Sequence, residues 1–112
     1  MYTIKNLLGD KEKIWLYLDN DQTCKKFFEM ANAEGYTFGN LPYEKWVTGN
    51  IIAIHSDGDM GHLPIFAWCM SFKPDIRKVP IRYDFAKYIS GEKDYICYET
   101  HIKSSNVTFT KF

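Results

Sequence analysis

A chain of 112 residues, 46% hydrophobic and 25% charged, fits a single domain and excludes both a disordered segment and a miniature scaffold held by disulfide or metal staples. Fourteen basic side chains stand against fourteen acidic ones, which excludes a whole-molecule attraction to nucleic acid or to an anionic membrane. Aromatic residues are in excess at 17%, enough to fill a core and leave some rings for a groove or an interface.

The opening MYTIKNLLGDKEK has no basic stretch followed by a long apolar one, and no run reaches 18 apolar residues, so neither a secretion leader nor a membrane span is expected. Cys24, Cys69 and Cys97 are odd in number, far apart and set among apolar residues, the pattern of reduced, buried thiols in the cytoplasm. Residues 14–18, IWLYL, are a continuous run of β-formers and predict a central strand buried on both faces. Residues 19–35 begin with capping residues and then place Cys24, Phe27, Phe28 and Ala31 at helical spacing, which predicts an amphipathic helix with Asn20 as N-cap and Gly35 as its stop. Residues 36–38 are briefly β-like, and 39–49 form a loop in which Trp46 reads as a lid on the core or, alternatively, as an exposed anchor.

Residues 50–55 resume as a strand, 56–61 turn, and 62–72 return as the second arm of a hairpin. That arm sets Ile65, Ala67, Cys69 and Ser71 on one face and Phe66, Trp68, Met70 and Phe72 on the other. A connector at 73–78 contains Pro74, and 79–83 reads as a strand whose Pro80 marks an edge or a start. Asp84 caps a short helix over 85–90 that Gly91 ends, 95–102 is a further strand, and 103–112 is an edge strand or a flexible tail. This order predicts one α+β domain over residues 1–112: a mostly antiparallel sheet of four to six strands, one main helix packed on one face, a short second helix, and the other face left open as a binding surface.

Chemistry is concentrated between the arms of the predicted hairpin. His55, Asp57, Asp59 and His62 bring imidazole and carboxylate within eight residues, the ligand types of a divalent transition-metal site. The same run, with Asp57-Gly58 and Gly61, is equally a polar hairpin turn. Cys69 with His62, or Cys97 with His101, are the thiol and base pairs that can be drawn, neither with an orienting third group, so no catalytic residue is assigned. No glycine-rich phosphate loop is present, and no cofactor is expected. Lys73, Arg77, Lys78, Arg82 and Lys87, with Tyr83 and Tyr88 close by, form the one basic concentration. It is suited to nucleic-acid phosphates and base stacking, or, since Asp75 and Asp84 interrupt it, to a solvated rim.

At EGYTFGN (residues 34–40), NIIAIHSDG (50–58) and IRYDFAKYISGEKDYI (81–96), the chain resembles small uncharacterised accessory proteins of phages and integrative elements of Gram-positive bacteria. The resemblance assigns no site residue. It implies a setting, in which compact proteins act on host or competitor machinery, including defence systems such as CRISPR effectors. With the aromatic excess, the expectation is a non-enzymatic cytoplasmic binding protein, an anti-CRISPR-like inhibitor that masks a protein partner. Trp46, Phe66, Trp68 and Tyr83 are its expected anchors, and Lys73, Arg77, Lys78 and Arg82 its rim. Two alternatives stand beside it: a binder or sponge of a nucleotide-like small molecule, and a metal-dependent enzyme using the 55–62 loop. An exposed aromatic face would also suit a homodimer.

Overall fold

The computed structural model describes residues 2–72 and 80–97. Eight elements follow in order: α1 (Ile4–Leu8), β1 (Lys13–Tyr17), α2 (Asp21–Ala33), β2 (Ile51–His55), β3 (Met60–His62), α3 (Ile65–Met70), β4 (Ile81–Asp84) and α4 (Phe85–Ile89), with a single 3-10 turn at Tyr43–Lys45. The strands form one sheet in the order β3-β2-β1-β4. β2 pairs antiparallel with both β1 and β3, while β4 runs parallel to β1, with Ile14 opposite Ile81 and Tyr17 opposite Asp84. The fold is α+β, with two of its three pairings antiparallel.

Period-two alternation in β1 explains the layering. Ile14, Leu16 and the following Leu18 enter the main core with Ile52 and Ile54 of β2, the Cys24, Phe27, Phe28 and Ala31 stripe of α2, and Phe85 and Tyr88 of α4. Trp15 and Tyr17 point the other way, into a smaller core with Ile51, Trp68 and Cys97. β1 is thus an interior strand with apolar side chains on both faces, as its unbroken apolar run predicts.

The caps sit where the sequence places them. The Asn20 side chain accepts from the Thr23 amide at 2.8 Å, Asp84 accepts from Lys87 at 3.1 Å, and Gly35 leaves α2 with φ of +90°, a conformation costly for any residue with a Cβ. β4 lies next to β1 and, among the described residues, carries the isolated bridge from Tyr83 to Ile96 on its other side. The remainder of the strand expected at 95–102, the tail 103–112, and Lys73, Arg77 and Lys78 lie outside the described residues.

Three expectations are corrected. The second hairpin arm ends at His62, and Ile65–Met70 is a helix. The Leu63 amide makes the last bond to β2, at 3.0 Å to the Ile51 carbonyl. Pro64 then has no N–H to continue a ladder and serves as the helix N-cap, its carbonyl accepting from Trp68 at 3.3 Å. The second sheet face is consequently not open, because α3 drops Trp68 onto it. Cys69 is also exposed, since a helix turns it outward while Cys24 and Cys97 are buried. One element had no forecast: α1 is only five residues long, with Thr3 accepting from the Asn6 amide as its cap.

Candidate functional site

The four side chains of the 55–62 loop do not converge. The Asp57 carboxylate accepts from the Asp59 amide at 3.0 Å, a turn contact. The Asp59 carboxylate accepts from the Gly39 amide at 2.7 Å and the Thr37 hydroxyl at 3.1 Å, tying the hairpin to the loop beside it. The Gly39 amide is the main reason this carboxyl is held below its ordinary value of 3.8. His55 is exposed, and the His62 ring lies against Phe38 with centroids 4.9 Å apart. Among the described residues no three His, Cys, Asp or Glu side chains gather in a way that would hold a metal ion. The Cys24 and Cys97 thiols are pushed up by burial to about 11 and about 12, so both are protonated and unreactive at neutral pH.

His62 acts instead as a latch. The residue is partly open to solvent, and its ring donates to the Val47 carbonyl and closes on Gly49. A Cβ at position 49 would come within 2.6 Å of the ring nitrogen Nδ1, so any larger residue there must displace the imidazole. Partial burial holds the imidazole below its ordinary 6.5, outweighing the Val47 hydrogen bond that favours the proton. A depressed histidine binds its proton more readily in the unfolded chain. Its contribution is therefore complete above pH 6.5 and is lost as pH falls through 6.5 toward the folded value. Gly49→Ala is expected to push the ring outward, at a stability cost of about 1 kcal/mol, and to return the His62 titration, followed by NMR, to its ordinary range.

The expected anchors, together with Arg82 of the expected rim, separate into two groups. Trp68 is 1% exposed, and its ring packs on Trp15 at 6.4 Å, Tyr17 at 6.5 Å and Phe72 at 6.0 Å. Tyr83 is buried against Tyr95, and Trp46 packs edge-on against Phe28 at 5.3 Å while its Nε1 donates to the Leu41 carbonyl at 3.2 Å. Arg82 is drawn inward: one guanidinium nitrogen donates to the Ser71 carbonyl and hydroxyl at 3.0 and 2.7 Å, and the group sits 3.9 Å over the Phe72 ring. All four side chains make these contacts within the fold.

Phe66 is the exception. It is 69% exposed, and Met70, one turn on, is 37% exposed, on a helix with no charged residue. From Met60 to Phe72 the sequence has no Asp, Glu, Lys or Arg. Val47 is 64% exposed, and between it and Ile65 lies a cleft of about 460 Å³. Val47 had no signal in the sequence, because one valine in a loop is unremarkable until the fold sets it across a cleft from the start of α3. The chain matches no protein-family model, no curated protein and no solved structure.

Proposed function

We propose that this is a small non-enzymatic binding protein that docks on a protein partner through the outer face of α3. The observation that carries the reading is the contrast within one short, uncharged helix, where Trp68 is buried and Phe66 and Met70 stand in solvent. Aromatic side chains at the centre of an uncharged patch are the usual energetic anchors of protein interfaces. In the mobile-element setting that the sequence resemblance implies, the partner is a component of a host or competitor defence system, and docking masks it. Phe66→Asp tests the reading, because the side chain lies outside both cores and its replacement leaves the fold intact. Wild-type protein is expected to form a stoichiometric complex that survives gel filtration of native-host extract, and Phe66→Asp to weaken that complex at least tenfold. A complex indifferent to Phe66→Asp, or no complex and no protection of the mobile element, overturns it.

A further inference from the structure

Resting on that reading of α3, we infer that the adjoining cleft receives a basic side chain, arginine or lysine, carried by a segment of the partner. The cleft has two chemistries. Val47, Ile51, Leu63 and Ile65 give it apolar walls, and Asp21, the first residue of α2, is the one formally charged side chain in its lining.

Of the other polar side chains there, Asn50 and His62 are engaged within the fold. The Asn50 amide donates to the Leu18 carbonyl at 3.1 Å, and the His62 ring to the Val47 carbonyl. Asp21 is exposed and has no hydrogen-bond or ion-pair partner among the described residues. Lys25, one turn along α2, lines a separate hollow with Phe28 and Trp46. An anionic ligand would face the Asp21 charge, and a purely apolar one would make no use of it. A side chain with a methylene stem and a cationic head satisfies both walls and carboxylate. Arginine does so best, since its fork can take both carboxylate oxygens. Ile65 lines the cleft and Phe66 follows it, so a partner segment that places an apolar residue on α3 brings its neighbours to the cleft.

The test uses the full-length chain, isotope-labelled, titrated by NMR with acetyl-Ala-Arg-Ala-amide and with its norleucine and glutamate counterparts. The arginine peptide is expected to shift the backbone amides of residues 47–51, 62, 63 and 65 with a Kd of about 1 mM, at least tenfold tighter than either counterpart. Asp21→Asn, checked for an unchanged fold by the same spectra, should abolish that preference while leaving the norleucine peptide unaffected. An arginine peptide that binds no better than norleucine, or that ignores Asp21→Asn, overturns the inference. The two readings fail separately: a partner complex lost on Phe66→Asp alongside a failed arginine titration retains the α3 face and removes the cleft.

Discussion

Trp68→Ala is expected to cost about 3–5 kcal/mol of unfolding free energy, while Phe66→Ala, two residues earlier on the same helix, should change stability by less than about 0.5 kcal/mol. The smaller core has few members, so a vacated indole site has little to collapse into it: Tyr17, Ile51 and Cys97 are its other buried residues, with Trp15, Leu63, Ile65 and Phe72 at the margin. α3 is six residues long, too short to persist unless its packing holds it. Losing Trp68 is therefore expected to release the helix as well as open a cavity. The Trp68 Nε1 is itself buried without a partner among the described residues, so Trp68→Phe removes that orphan donor and should cost less than the alanine. Urea unfolding of the three variants checks this. Equal, small effects at positions 66 and 68 would mean that the helix does not dock as described.

The second large effect lies at the start of α1. Glu34, just past α2, turns its carboxylate onto the start of α1, accepting from the Ile4 amide at 2.9 Å through Oε2 and from the Lys5 amide at 2.9 Å through Oε1. Those amides have no partner within their own helix, and a five-residue helix does not form unaided. A fork-shaped acceptor of full negative charge satisfies both donors and meets the positive end of the helix dipole. Glu34→Gln keeps one acceptor oxygen and loses the charge, so it should cost about 1–3 kcal/mol. Because Ile4, Leu7 and Leu8 enter the main core through α1, the effect is expected to be more than local. Hydrogen exchange at the Ile4 and Lys5 amides should accelerate first, ahead of the sheet. Unchanged protection there would reject the clamp.

Legibility in the sequence followed the range of the forces involved. β1, α2 and the start of α4 rest on local signals: an unbroken run of β-formers, a helical stripe behind Asn20, and Asp84 ahead of Phe85. All three stand as the sequence predicts. The α3 segment misleads because IFAWCMSF alternates small and large residues, and a short apolar run does not distinguish strand from helix by period. Pro64 was the overlooked sign, since it fits the start of a helix and ends a ladder. α1 was invisible because the groups that hold it come from Glu34, thirty residues away, and no local pattern reports such a bond. The candidate surface suffered from the first error. Read as a strand, the segment puts Phe66 and Trp68 on one face; wound as a helix, it sends one into solvent and the other inside.

The position of β1 has a consequence for how the chain reaches this fold. This interior strand comes early in the sequence, yet neither of its neighbours is near it along the chain: Tyr17 pairs with Ile51, and Ile14 with Ile81. Long loops must close before either pairing is rewarded, which favours slow folding for a domain of this size. During synthesis the IWLYL segment emerges well before β2 can cover its edge, and longer still before β4 arrives. For that interval an apolar, β-prone stretch is open to mispairing or to a chaperone. Ribosome-bound chains halted before residue 51 should accordingly leave it accessible to limited proteolysis, and chains long enough to free residue 84 should protect it.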